Sequence, residues 1–353
     1  MPYTCGMLLL ADIRETGYLR SSLLIEPFNR MSSVVSDSPL ISIALCTYNG
    51  ERYLRKQLDS LQQQDYPQME IIASDDASID ATPQILEEYA ARDQRLKIYR
   101  NPSNIGFRRN FERALGLCGG DLIAPSDQDD IWEPSKLSKL QDALGTAMMS
   151  YCDSELIDQH GSALGQNISD KFNVASIGDP LAFVFSNCVS GHAMLFRREL
   201  LTSALPLPDG LFHDWWLAYV AASQGRIEYC PERLVSYRQH EAAVTDLSGR
   251  RSKSASGKSR GHRLDAIHEI QQRIKCFADL QQGREAELLN TLEKLWHEQE
   301  HKWICFKLTR YLLRYRHRLF ALQSDQRFRH CRRAIKYFWG IPIKRLIQPA
   351  RYG

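Results

Sequence analysis

Between residues 38 and 130 the chain alternates short apolar runs with stretches in which apolar side chains return every three or four positions. Residues 40–46, 70–74, 96–99 and 122–125 suit buried strands, and residues 51–64, 82–92 and 107–117 carry the helical period. This β-α-β-α alternation predicts an α/β fold, a mostly parallel sheet with helices on both faces. Each predicted strand is followed by a polar cluster: Thr47-Tyr48-Asn49, Asp75-Asp76, residues 101–104, and Asp127-Gln128-Asp129-Asp130. Ligands of open α/β sheets bind beyond the carboxyl ends of the strands, so the four clusters are expected to meet at one edge.

After residue 150 the pattern loosens. Apolar segments remain at 181–189, 193–196, 227–230 and 234–237, with a helix expected over 214–224. Residues 247–262, rich in Ser, Gly, Lys and Arg, read as a linker. The expected organisation is an extension over 1–37, a catalytic-type α/β domain over 38–246, the linker, and a helical region over 263–353.

Charge separates these regions more sharply than hydropathy does. From residue 250 to the last there are 24 Lys/Arg and 9 Asp/Glu, a net +15; the totals of 45 and 42 leave 21 basic and 33 acidic residues before it, a net −12. Residues from Lys302 onward hold 14 Lys/Arg against one acid, Asp325. There Ile304, Leu308, Tyr311, Leu312, Tyr315, Leu319 and Leu322 form one apolar helical stripe. A basic amphipathic helix suits an anionic membrane surface, or its stripe packs on the catalytic domain or a second subunit. Nucleic acid is a weaker partner, because no recognised nucleic-acid module accompanies the charge. No run approaches the length of a membrane-spanning helix, and the nine cysteines are scattered and never spaced C-x-x-C. Both features fit a cytoplasmic protein, peripheral on the inner face of the membrane.

Asp127, Asp129 and Asp130 repel one another unless a cation or donors neutralise them, and hard carboxylate oxygens suit Mg²⁺ or Mn²⁺. The same acids would also serve as a solvated turn ahead of a helix opening at Pro134. A second acid, Asp214, stands between His213 and the pair Trp215-Trp216, whose faces could stack on a ligand or belong to the core. His297-Glu298-Gln299-Glu300-His301 fits H-E-x-x-H, the pattern of a zinc metalloprotease, but Ile304 and Lys307 occupy the places of the extended Gly and His.

Taken in order, Ser42-Ile43-Ala44-Leu45-Cys46-Thr47-Tyr48-Asn49-Gly50, Ser74-Asp75-Asp76-Ala77-Ser78, Asn104-Ile105-Gly106 and Asp127-Gln128-Asp129-Asp130-Ile131-Trp132 resemble glycosyltransferase family 2. The last of these, with Tyr237-Arg238-Gln239-His240, is similar to its rhamnosyltransferase-like branch. The resemblance spans residues 38–245 and implies a GT-A fold and inverting transfer from a nucleoside-diphosphate sugar to a glycan or lipid-linked glycan hydroxyl. It implies that Thr47, Tyr48 and Asn49 cradle the nucleoside, that Asp76 meets base or ribose with Asp75 bracing it, and that Asn104 and Arg108 lie near the donor. Asp127 and Asp129 would form the D-x-D pair on Mn²⁺ or Mg²⁺, joined by His240, with Arg238 an alternative partner for the diphosphate. Asp214 would be the catalytic base, flanked on the acceptor side by His213, Trp215 and Trp216. Asp80 would cap a helix or touch ligand. A catalytically silent sugar-nucleotide binder is the alternative of a different class.

Overall fold

A computed structural model of the chain describes residues 38–241, 261–323 and 327–341, with the side chains of 261–265 and 327–328 outside that description. The predicted extension over 1–37 and residues 247–260 of the predicted linker lie outside the described residues. The first half runs β1 (Ile41–Thr47), α1 (Leu54–Gln62), β2 (Met69–Asp75), α2 (Thr82–Ala90), β3 (Leu96–Arg100), α3 (Phe107–Leu117) and β4 (Leu122–Ser126). There follow β5 (Ile131–Trp132), α4 (Lys136–Leu144), β6 (Met149–Ile157), β7 (Ala163–Asn167), β8 (Met194–Arg197), α5 (Leu201–Ala204), α6 (His213–Gln224) and β9 (Ile227–Arg238). The remaining helices are α7 (Gly261–Leu280), α8 (Gly283–Glu298), α9 (Phe306–Arg314), α10 (Arg316–Leu319) and α11 (Arg327–Lys336).

The strands form one sheet in the order β3-β2-β1-β4-β8-β6-β9-β5, with β7 pairing the later part of β6, beyond the residues that pair with β8. The β3-β2-β1-β4 half is parallel, as its alternation predicts. The other half is mixed: β8 runs antiparallel to both β4 and β6, β9 parallel to β6, and β5 antiparallel to β9. Alternation along β1 explains the layering. Ile41, Ile43 and Leu45 bury against α1, α2 and α4, whereas Ala44 and Cys46 face the core that holds α3 and α6.

Two segments depart from what their hydropathy suggests, for local reasons. Residues 181–189 form no strand; Asp179 accepts from the Leu181 N–H at 3.0 Å and opens a short 3₁₀ turn at Pro180–Phe183. β6 escapes the sequence pattern because it is buried yet polar. Ser150 donates to the Leu140 carbonyl at 2.7 Å, Asp153 accepts from Ser169 Oγ at 2.6 Å, and Ser154 Oγ meets His192 Nε2 at 3.0 Å.

The C-terminal helices are welded to the sheet domain. Ile274 and Phe277 of α7, Trp296 of α8, and Leu308 and Leu312 of α9 join the core that contains Trp216 and Tyr219 of α6. Tyr219 and Phe277 stack at 3.5 Å between centroids, and the Tyr219 hydroxyl donates to the Phe277 carbonyl at 3.0 Å. Along the basic stripe, Leu308, Leu312, Leu319 and Leu322 are buried, Tyr311 and Tyr315 are half-buried, and Ile304 alone is exposed. Apart from Ile304, the stripe therefore packs on the domain. Phe277→Ala is expected to destabilise the chain by about 3–5 kcal/mol, read as a lower midpoint in chemical denaturation.

Candidate active site

The carboxyl ends of β1 and β2 build a rigid floor. Thr47 Oγ1 donates to Asp75 Oδ1 at 3.0 Å, Asp75 also accepts from the Ser78 N–H at 3.1 Å, and Arg100 stands 3.5 Å away. Thr47 and Asp75 are both buried, so they brace the floor from below. Asp76 is also buried; its Oδ1 accepts from Asn101 Nδ2 at 2.7 Å and the Ile105 N–H at 2.8 Å, and its Oδ2 from the Gly106 N–H at 2.9 Å. The residue predicted to meet a base or ribose thus organises the turn at 104–106 in this conformation. Asn104 is exposed in that turn, where its Oδ1 also accepts from the Gly106 N–H at 3.1 Å.

Tyr48 and Asn49 reach the open side. Asn49 takes a positive φ of 47° and its Oδ1 accepts from the Ile79 N–H at 2.9 Å, while Tyr48 is exposed. Asp80 takes the capping alternative, accepting from the N–H groups of Thr82 at 2.9 Å and Glu51 at 3.1 Å. Gln128, which sequence reasoning passed over, clamps this loop to the end of β4. Its Oε1 accepts from the Tyr48 N–H at 2.8 Å and its Nε2 donates to the Tyr48 carbonyl at 3.0 Å. A Cβ at Gly50 would run into the Gln128 amide, so the clamp needs glycine there.

The end of β4 presents the acids. Asp129 Oδ2 lies 2.8 Å from His240 Nε2, bringing together two of the predicted metal ligands from positions 111 residues apart. Asp130 is fully buried and holds the end of β9, its Oδ1 accepting from the Arg238 N–H at 2.9 Å. Arg238 is buried as well, donating from Nε to the Asp129 carbonyl at 2.7 Å and from Nη1 to the Asp158 carbonyl at 3.1 Å. Arg238 is therefore a strut that fixes His240 beside Asp129, and it is not placed to grip a diphosphate. Behind the acids lies Lys136, buried, 2.8 Å from the Trp132 ring centroid and donating to the His192 carbonyl at 2.7 Å. Burial pushes its ammonium well down, against the pull of Asp130 and Asp127.

Burial, then the like charges of Asp129 and Asp214, push the Asp127 carboxyl up to about 7. Asp214, on the first turn of α6, packs beside Gly191, the neighbour of His192, with its Cβ 3.6 Å from where a Gly191 side chain would begin. Burial raises Asp214 to about 6, and backbone N–H groups, including that of Trp215 at 2.6 Å, pull the other way. Both carboxyls sit above the ordinary value of roughly 4, so the folded chain holds extra protons between about pH 4 and pH 7 and loses stability as the pH rises through that window. Asp127→Asn is expected to raise the melting temperature of the metal-free protein at pH 8 and to leave it nearly unchanged at pH 4, as differential scanning fluorimetry would read.

The three neighbours of Asp214 are held by core contacts, His213 and Trp216 buried and Trp215 half-buried against the core. His213 stacks on Phe111 at 3.8 Å, and burial holds its imidazole down at about 3, hence neutral. Trp215 donates to the Phe183 carbonyl at 2.7 Å beneath the Arg273 guanidinium, 3.5 Å from its ring centroid. Trp216 donates to the Ala204 carbonyl at 2.8 Å. The physical reason is that α6 is apolar all round and runs through the core. Arg108, at the start of α3, stands 3.6 Å from Asp209, with its Nε buried and without a hydrogen-bond partner.

Asp127 and Asp129 offer hard oxygens and His240 a nitrogen, a donor chemistry that suits a divalent cation, and Asp129 and His240 meet directly. The grouping found among the described residues with ligand atoms within 4.8 Å of one another is Asp127, Asp130 and His192, where Asp130 Oδ2 has no hydrogen-bond partner. His192 carried no sequence signal, being a lone histidine between apolar segments. The H-E-x-x-H segment does not run on as one helix: α8 ends at Glu298 and His301 falls in the turn beyond, and although the two rings stand 5.8 Å apart edge to face, the segment contributes to no group of three metal-binding side chains among the described residues. Glu298 instead pairs with Lys302 at 2.5 Å.

The family profile described as Glycosyl transferase family 2 matches residues 42–203. An uncharacterised glycosyltransferase of Haemophilus influenzae is 29% identical over 220 residues, 58% of this chain and 67% of that protein. An uncharacterised protein of Mycobacterium bovis is 30% identical over 239 residues, 65% of this chain and 67% of that protein. The fold is similar to that of S. aureus TarS 1–349, whose crystal structure holds UDP-GlcNAc, with a TM-score of 0.54 at 18% identity over 79% of this chain and 81% of that one. With its sheet ending in these acids, the chain belongs to glycosyl transferase family 2 and is a glycosyltransferase of the GT-A fold.

Proposed function

We propose that the enzyme transfers a hexosyl or deoxyhexosyl unit, rhamnosyl being the reading suggested by the Tyr237-to-His240 segment, from a nucleoside diphosphate to a glycan or lipid-linked glycan hydroxyl, with inversion. The α/β domain that carries the acids is taken as residues 38–246, with the terminal helices packed on it as part of the active fold. The observation that supports the reading is the placing of Asp127 and Asp129 just after β4, with Asp129 2.8 Å from His240, and of Asp214 on the first turn of α6 beside Gly191, the neighbour of His192. Tyr48 and Asn49 would line the nucleoside, and Asp127, Asp129 and His240 would hold Mn²⁺ or Mg²⁺. Such a cation, when bound, offsets the negative charge on the departing diphosphate. Asp214 takes the acceptor hydroxyl proton as that oxygen bonds to the anomeric carbon from the face opposite the leaving group. The anomeric carbon–oxygen bond breaks, its electron pair leaves with the diphosphate, and the configuration inverts.

A melting-temperature screen of UDP-, GDP- and dTDP-sugars with and without Mn²⁺ tests the donor site. Selective, cation-dependent stabilisation by one donor is expected, and no stabilisation by any of them counts against the reading. Donor hydrolysis then separates a transferase from a silent binder. If Asp214 is the base, kcat/KM falls at low pH with a midpoint near the value of about 6 that the carboxyl has in the free protein.

A further inference from the structure

The buried stripe does not dispose of the whole apolar content of the basic region. Trp303, Ile304, Phe306, Ile335 and Trp339 are large side chains left between 46% and 63% exposed. They come from two segments that the fold joins. Ile304 and Trp339 are partners in an antiparallel bridge, with the Cys305 N–H donating to the Phe338 carbonyl at 2.8 Å and the Gly340 N–H to the Trp303 carbonyl at 2.9 Å. Bridge partners project to the same side, so Ile304 and Trp339 share a face. A Cβ at Gly340 would overlap the Lys302 carbonyl, so the two segments are pressed together as tightly as backbone allows.

The rim of this patch is basic. Lys307 and Arg310 on α9 and Arg332 and Lys336 on and at the end of α11 are exposed. Scattered single apolar side chains need no explanation, but five large ones gathered at a strap with a cationic rim do. Tryptophan favours the boundary between headgroups and acyl chains, and lysine and arginine beside it meet anionic headgroups. Neither property serves a packed core, and the aromatic groups have no use against the phosphates of a duplex.

We propose that the strap at 303–306 and 335–340 is the surface by which this enzyme docks on an anionic lipid bilayer, its tryptophans in the interface and its lysines and arginines on the headgroups. The inference goes beyond the transfer reaction and does not depend on the roles given to the acids. The test is sedimentation of the full chain with vesicles of phosphatidylcholine alone and of phosphatidylcholine mixed with phosphatidylglycerol. Binding to the mixed vesicles and little to the neutral ones is expected. Trp303→Ala with Trp339→Ala should weaken that binding roughly tenfold or more. Arg332→Gln and Lys336→Gln should each weaken it about fivefold.

Phe306→Ser, at the most exposed of the five positions, repeats the measurement without touching the bridge, so a misfolded tryptophan variant does not decide the matter. The proposal is overturned if the wild-type chain ignores phosphatidylglycerol, if the Phe306 variant and a folded tryptophan variant bind undiminished, or if RNA and not vesicles captures the chain through these residues. A concentration-dependent dimer that the same substitutions abolish, without vesicle binding, would likewise assign the strap to a second copy of the chain.

Discussion

Asp214→Asn is expected to lower kcat by about a thousandfold, within the range of roughly 10²–10⁴ ascribed to a positioned general base, with the donor KM little changed. Asparagine keeps the shape of the side chain and can still accept from the Trp215 N–H that Asp214 meets at 2.6 Å, so the start of α6 should hold. What it removes is the capacity to accept a proton. The acid limb of the pH profile should vanish with it. Single-turnover kinetics with a saturating donor would check this; near-normal turnover would remove Asp214 from the chemistry and leave it as a helix-terminal acid.

The second large effect is expected at Asp129. Asp129→Asn should cut activity at least a hundredfold and abolish the dependence of donor binding on Mn²⁺, as titration calorimetry with and without the cation would show. His240 lies 2.8 Å from Asp129, so His240→Ala should weaken cation dependence in the same direction but less, because the two carboxylates remain. If Asp129→Asn binds donor and cation as the wild type does, the inner grouping of Asp127, Asp130 and His192 becomes the candidate cation site. Asp130→Asn is then the discriminating variant, since it keeps an acceptor for the Arg238 N–H and removes only the charge.

The parallel half of the sheet was legible because β1, β2 and β4 are short buried runs and its helices amphipathic, and α3 matches its expected bounds, Phe107–Leu117. Asp127 and Asp129 stood out as an acid cluster at a strand end and Asp214 through the family resemblance, and the structure puts Asp129 beside His240. The second half was less so. β6 pairs its buried hydroxyls and carboxyl internally, which no hydropathy pattern registers. Residue type alone could not separate Asp76, whose oxygens meet backbone N–H groups 29 and 30 residues away, from an acid facing a ligand. Gln128, Lys136 and His192 owe their importance to contacts across the sheet, and nothing adjacent to them in the chain announces it.

Arg273 lies over Trp215, the residue that follows Asp214, and Phe277 one turn further along α7 stacks on Tyr219. The helix bearing the proposed base is thus gripped from outside by the terminal bundle. A fragment ending at residue 246 would leave that side of α6 bare, and is expected to be poorly soluble and inactive even though every acid is present. By the same grip, a tilt imposed on the bundle from outside reaches the carboxyl of Asp214 through two aromatic contacts, with no loop needed to carry it.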